Sequence, residues 1–240
     1  MNGSKLASLL VAVVMALLFV GCSNDGEEAR VGGGDDTSLG DLVSKLDGAE
    51  YWVSYDSTSA DGSNGVLTVA VSGEKTYVSM DFAGGTGQAG LSGILIEDGA
   101  NSYSCGGLAN LFGLFGGASS DSNVCYRSNT TKENDMPSLR DFFNPAGLAQ
   151  ALAGAQTGSD GNELIAGREA RCFKIEGVEA ISSGRICVED SIGVPLLIEG
   201  VDDEGARFSQ RARELRDQVE DSVFEPPYEV KEYPELSPGQ

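Results

Sequence analysis

The sequence predicts an α+β fold, an antiparallel β-sheet accompanied by a few short helices. Three observations lead there. Apolar and polar residues alternate through a succession of short segments rich in valine, isoleucine and aromatic side chains. The segments are joined by turns rich in glycine, aspartate and serine, too short for the crossover that parallel strands need. Helical spacing of apolar residues appears in brief stretches near positions 39–46, 108–115 and 139–153, and ambiguously at 206–215. With 240 residues, 40% of them apolar, the chain suits one packed domain plus a leader better than two domains.

Residues 1–21 read as an export signal. Asn2 to Lys5 form a short polar start with one positive charge, and Leu6 to Val20 carry no charge. That run falls short of the roughly 20 residues a membrane-spanning helix needs and suits a secretory core. It ends Leu18-Phe19-Val20-Gly21-Cys22, followed at once by polar residues. A small residue before a cysteine at this place resembles the bacterial lipobox, which implies that Cys22 becomes the diacylglyceryl-modified N-terminus. Ordinary secretion with an incidental cysteine is the alternative. Stable anchoring takes more than one acyl chain, so the expectation is an exported protein, lipid-anchored to the extracytoplasmic face of a bacterial membrane. Residues 22–37, which include Gly32-Gly33-Gly34-Asp35-Asp36, hold little that packs and read as a flexible tether.

The folded domain is expected over residues 38–230. Ser38 and Asp41 have capping-box spacing, Leu39, Leu42, Val43 and Leu46 share a helical face, and Gly48 suits a left-handed cap. Strand-like segments follow at Tyr51–Tyr55, Leu67–Val71, Tyr77–Phe82, Leu91–Ile96 and Asn101–Cys105, as an antiparallel meander. Between Cys105 and Cys125, Leu108, Leu111, Phe112 and Phe115 form a helical stripe bracketed by glycine pairs. It reads either as a short core helix or as an apolar lid. Asn144-Pro145 starts a second helix through Leu148 and Leu152, and residues 157–162 read as a loop. Strands resume at 170–175, 184–188 and 194–199. Residues 206–215 fit a helix or a strand equally, and Arg207, Arg211, Arg213 and Arg216 read as solvated beside Asp202, Asp203 and Glu204. Prolines 226, 227, 234 and 238 exclude the end of the chain from a central strand, and 231–240 reads as a Pro-rich tail.

Setting Cys22 aside leaves Cys105, Cys125, Cys172 and Cys187, an even number in an exported chain. Three pairings are open. Cys105–Cys125 and Cys172–Cys187 are favoured, because each brackets a local excursion between strands. A four-thiolate zinc site is disfavoured by the absence of C-x2-4-C spacing, so no metal is expected.

Charge and composition exclude several activities. The 16 basic and 37 acidic residues give a net charge of −21, and no basic cluster faces nucleic acid. There is no histidine, which removes Ser-His-Asp and Cys-His catalysis and imidazole ligands. Gly85-Thr86-Gly87-Gln88-Ala89-Gly90 spells G-x-G-x-x-G, but a strand follows where dinucleotide binding needs a helix, so it reads as a hairpin loop. No pair of carboxylates is singled out for acid–base work. The expectation is a protein that is not an enzyme and carries no cofactor.

The order of lipobox, tether, short helix, meander, helical insertion and further strands resembles the LolA/LolB-like lipoprotein-carrier superfamily, with LppX/LprG-type lipoproteins as relatives. Ile192-Gly193-Val194-Pro195-Leu196-Leu197-Ile198-Glu199 is similar to its late G-x-P strand, and Asp221 to Tyr228 to its closing F-x-P-P segment. The resemblance implies a curved antiparallel sheet, a half-barrel, wrapped around a few short helices and enclosing an apolar cavity. It implies binding of a hydrophobic ligand, a lipid or acyl chain, with lipid or lipoprotein transport as the wider role. The expected ligand-binding lining is Leu67, Val69, Val71, Val78, Met80, Phe82, Ile94 and Ile96, with Leu111, Phe112 and Phe115 at the mouth. The alternative is a non-catalytic envelope interaction or sensor protein of the same fold with a filled core.

Overall fold

A computed structural model describes residues 37–84, 90–107, 123–129, 155–178 and 181–232. The expected signal, lipidated Cys22, the tether, the stripe 108–115, the helix at Asn144-Pro145 and most of the tail lie outside the described residues. The chain divides into two compact units. The first comprises Met1–Ala49, Ser57–Gly62 and Asp141–Arg213; the second comprises Glu50–Asp56, Ser63–Arg140 and Glu214–Gln240.

In chain order the elements are α1 (Leu39–Ser44), β1 (Tyr51–Thr58), β2 (Asn64–Ser72), β3 (Lys75–Phe82), β4 (Leu91–Glu97), β5 (Asn101–Gly106) and β6 (Val124–Asn129). After these come β7 (Gln156–Ile165), β8 (Arg168–Glu176), β9 (Ile181–Glu189), β10 (Pro195–Asp202), β11 (Arg207–Arg216), a 3-10 turn (Asp221–Phe224) and β12 (Glu229–Glu232). Strands β2 to β6 and β7 to β11 run antiparallel to their neighbours within each run, and β12 lies parallel to β6. The expected class holds: an open, mostly antiparallel sheet, with few helices among the described residues.

In the first unit the strands lie in the order β11-β10-β9-β8-β7. The capping box forms as its spacing requires: the Asp41 amide donates to Ser38 Oγ at 3.1 Å, and the Ser38 amide donates to Asp41 Oδ2 at 3.0 Å. Leu39, Leu42 and Val43 are buried, and the helix packs on β9 and the turn after it. Gly193 in that turn has φ 77°, and a Cβ there would sit 2.3 Å from the Leu42 carbonyl oxygen. Glycine is therefore required twice at this point, for backbone sign and for close approach. Lys45 fixes the same junction through the Asp190 carbonyl.

Two segments differ from their sequence reading or settle it. Residues 157–162, expected as a loop, belong to β7, which pairs with β8 from Gln156↔Glu176 to Ile165↔Arg168. An end strand need not alternate, and a register shift between Ser159 and Asn162 admits Asp160 and Gly161 as a bulge. Residues 206–215 are strand, paired with β10 through Leu197↔Arg211 and Gly200↔Phe208. Gly200 makes room for that neighbour: a Cβ there would lie 2.8 Å from the Phe208 ring.

In the second unit the order is β12-β6-β5-β4-β3-β2-β1. Phe82 pairs directly with Leu91, so the G-x-G-x-x-G segment joins adjacent antiparallel strands and no helix follows it. β12 contains no proline itself and occupies an end position, so the prolines before and after it interrupt no ladder. Both favoured disulfides are present, and each joins directly opposed residues, Cys105↔Cys125 on β5 and β6 and Cys172↔Cys187 on β8 and β9. No helix among the described residues is long and apolar enough to cross a membrane.

Gly193→Ala should lose about 2–3 kcal/mol in urea unfolding. Gly48→Ala, at φ 72° with nothing within 4 Å of an added Cβ, should lose only about 1 kcal/mol. Equal losses would show that the Leu42 approach contributes nothing.

Candidate ligand-binding sheet face

Directly opposed residues of antiparallel strands point to the same face. In the second unit the pairings place Val69, Val78, Leu95, Ser104 and Tyr126 in one row. Leu67, Met80, Gly93 and Gly106 form the row on one side of it, and Phe82 and Leu91 lie beyond those. Val71, Thr76, Glu97 and Ser102 form the row on the other side. The opposite face carries Ala70, Tyr77, Ile96, Tyr103 and Arg127, and next to them Thr68, Ser79, Ile94, Cys105 and Cys125.

That opposite face is closed by the chain's own C-terminal segment. Phe224 belongs to a buried cluster with Ala70, Ile96, Tyr103, Cys105 and Cys125, and Trp52, Val219 and Val223 pack against it. The segment is tied down at several points. The Val219 amide donates to Glu50 at 2.9 Å, Lys75 pairs with Asp221 at 2.6 Å, and Lys75 lies 5.6 Å from the Phe224 ring centroid. Arg216 stacks 4.2 Å from the Trp52 centroid, so this arginine, expected to be solvated, is a packing group.

Six of the expected lining residues therefore share one face: Leu67, Val69, Val71, Val78, Met80 and Phe82. Ile94 and Ile96 do not; they point the other way, into the cluster under Phe224. Their places are taken by Leu91 and Leu95, which the sequence reading passed over. Leu111, Phe112 and Phe115 lie outside the described residues. Ser54 faces Thr68 at 3.2 Å on the closed side, so alternation turns Tyr51, Val53 and Tyr55 toward the six. All three are buried, and desolvation pushes both tyrosine hydroxyls above their usual pKa.

The face is apolar along most of its length and polar at one end. Gly93 and Gly106 are opposed, which leaves a strip without side chains beside Met80. Leu91, Gly93 and Leu95 along β4 are partly exposed. At the polar end Glu97 is 8% exposed, with Ser102 Oγ 3.5 Å from its carboxylate. The hydroxyls of Thr76 and Ser104 are buried without a hydrogen-bond partner. Each such group costs about 1–3 kcal/mol while it stays unpaired. None of the face positions named here is Lys or Arg.

The first unit holds an ionic cluster of a different kind. Arg185 pairs with Asp160 and Glu163, each at 2.7 Å, and Glu163 also meets Arg211 at 2.7 Å. Arg211 and Glu163 stand on β11 and β7, four strand spacings or about 19 Å apart on a flat sheet. Their contact requires this sheet to curl toward the cluster. The Glu163 carboxylate also approaches Cys172 and Cys187, but their sulfurs are spent in a disulfide and offer no thiolate ligand.

Hydrogen bonds from Arg211 and Arg185 hold the Glu163 carboxyl below its ordinary value of 4.5. A depressed carboxylate pKa stabilises the fold above the ordinary value and ceases to do so as pH falls through the depressed one. Glu163→Gln should therefore cost about 1 kcal/mol at pH 7 and flatten the loss of stability between pH 5 and 3 in urea titrations. An unchanged acid limb would assign that loss to other carboxylates.

No family model and no curated protein matches the chain. Solved structures are similar to it. MucB in its complex with MucA from Pseudomonas aeruginosa aligns at 12% identity with a TM-score of 0.46, over 77% of this chain and 60% of that one. LprF from Mycobacterium bovis aligns at 8% identity and 0.41, over 78% and 97%. A LolA superfamily protein from Nitrosomonas europaea aligns at 10% identity and 0.29, over 79% and 98%.

Proposed function

We propose that this protein is a lipid-anchored cell-envelope protein that holds the acyl part of a lipid on the apolar face of its second unit, and that it binds this ligand without transforming it. The observation that carries the reading is the register. Leu67, Val69, Val71, Val78, Met80, Phe82, Leu91 and Leu95 are gathered on one face, while the chain's own C-terminal segment is spent on the other. Leu111, Phe112 and Phe115 are proposed as the mouth of this site. Cys22 supplies the anchor, and residues 22–37 hold the domain off the bilayer.

Apolar burial alone is enough to retain such a ligand. At about 0.8 kcal/mol per buried methylene, ten methylenes give a gross gain of about 8 kcal/mol. Lost translational and rotational freedom takes back at least about 4 kcal/mol, which leaves weak to moderate affinity for one chain. A second chain would raise it without any polar contact.

The test is native mass spectrometry of protein purified without detergent, followed by solvent extraction. Copurifying acyl lipid in near-stoichiometric amount is the expected result. Leu95→Asp, which puts a charge on the proposed face, should lower lipid occupancy at least tenfold. Ser92→Asp, on the same strand but the opposite face, should leave it unchanged. A clean apo mass that also ignores added lipid would contradict the reading and favour an interaction protein.

A further inference from the structure

The ionic cluster of the first unit closes over a disulfide. Cys172, Cys187, Leu197 and Arg211 are directly opposed on β8, β9, β10 and β11, so their side chains form one row on one face. Glu163 joins that face from β7, where it opposes Ala170, two residues before Cys172. The sheet curls until Glu163 and Arg211 meet at 2.7 Å, and the row that their bond spans holds Cys172, Cys187 and Leu197. These three are 0%, 0% and 1% exposed, and the Glu163 carboxylate lies within 4.8 Å of both sulfurs.

Every strand of the unit contributes a charge to this clasp. Arg185 on β9 braces Glu163 at 2.7 Å and meets Asp160 of β7 at 2.7 Å and Glu199 of β10 at 3.8 Å, while Lys174 of β8 meets Asp160 at 3.6 Å. Hydrogen bonds from Arg211 and Arg185 keep the Glu163 carboxyl below its ordinary range, so the clasp stays charged at neutral pH. The two disulfides are therefore covered by different means. Cys105–Cys125 lies in an apolar cluster with Ile96 and Phe224, which lets go only when packing is lost. Glu163 and Arg211 are 29% and 48% exposed, so water and salt compete for their bond and it opens locally. Thiol–disulfide exchange needs a thiolate to reach a sulfur, and access then decides its rate.

We propose that Cys172–Cys187 is an exchange-competent disulfide gated by this clasp: a dithiol reaches it when Glu163 and Arg211 part, while Cys105–Cys125 stays closed. One thiolate of the dithiol attacks a cysteine sulfur, the S–S bond breaks, and the other cysteine leaves as a thiolate that takes a proton from water. The second thiol of the reagent then displaces the mixed disulfide, which leaves two cysteine thiols and an oxidised, cyclic reagent. Reduction removes the covalent tie that pins β8 on β9, so the first unit is held in register by its ladders alone. The inference concerns this unit and stands apart from acyl binding by the second.

The test is timed reduction of the folded, oxidised protein by dithiothreitol at fixed pH, with new thiols alkylated and both cysteine pairs counted by peptide mass spectrometry. Arg211→Gln should speed reduction of Cys172–Cys187 about tenfold and leave Cys105–Cys125 within about twofold. Gly193→Ala destabilises the same unit without touching the clasp, and should speed Cys172–Cys187 by less than about threefold, which separates gating from unfolding. An unchanged rate in Arg211→Gln, an equal rise in Gly193→Ala, or a common rise at both disulfides would overturn the gate. The unaltered protein decides the matter even if a variant fails to fold. Raising salt from about 0.01 M to about 1 M, which shortens the Debye length from about 30 Å to about 3 Å, should raise the ratio of the two reduction rates about threefold. A constant ratio would overturn the proposal.

Discussion

Strand register is the constraint on which everything else here depends. Side chains on a strand alternate with a period of two, so a slip of one residue between β3 and β4 would exchange every group on the two faces. Val78, Met80 and Phe82 would then lie with Ile94 and Ile96 instead of Leu91 and Leu95. The Cys105–Cys125 bond ties directly opposed residues and cannot form in a slipped register of β5 on β6. Cys172–Cys187 does the same for β8 on β9. Placed on paired strands, each disulfide fixes which residues face which way as well as limiting the unfolded chain.

Given that register, the second unit solves its two faces differently. One face is covered by local means: Val219, Val223 and Phe224 lie on Ala70, Ile96 and Tyr103, held by Lys75, Glu50 and the Arg216–Trp52 stack. Two prolines after Phe224 then lead the chain to β12 at the end of the order, where they interrupt no ladder. The other face carries a continuous apolar set with a polar end. Leu67, Val69, Val78, Met80 and Phe82 on that face are buried as well, an apolar set of the kind that burial of an acyl chain would extend.

Much of this was legible in the sequence, for reasons that can be named. The capping box at Ser38 and Asp41 is a local motif, and its two hydrogen bonds form as the spacing demands. Val78, Met80 and Phe82 alternate with Tyr77, Ser79 and Asp81, and Leu67, Val69 and Val71 are larger than the Thr68 and Ala70 between them, so their phase was legible. The run Leu91-Ser92-Gly93-Ile94-Leu95-Ile96 was not, because apolar residues occupy both phases near its end and only pairing with β3 decides which face Ile94 and Ile96 take. β7 was missed because Gly158, Ser159, Asp160 and Gly161 carry turn chemistry; an end strand with a bulge is stable with such residues when its partner supplies the ladder. The arginines of β11 read as solvated because their partners, Trp52 for Arg216 and Glu163 for Arg211, are far away in sequence. The buried hydroxyls of Thr76 and Ser104 left no signal at all, since burial of a small polar residue depends on rows assembled from several strands.

The central claim is that acyl chains lie on the face bearing Val78 and Leu95. Photo-crosslinking with a palmitoyl lipid carrying a diazirine midway along its chain, read out by tandem mass spectrometry, addresses it residue by residue. The account predicts adducts on Leu67, Val69, Val78, Met80, Leu91 and Leu95, with Ile94, Ile96 and Tyr103 unlabelled. Adducts concentrated on Ile94, Ile96 and Tyr103, or spread evenly over both faces, would contradict it.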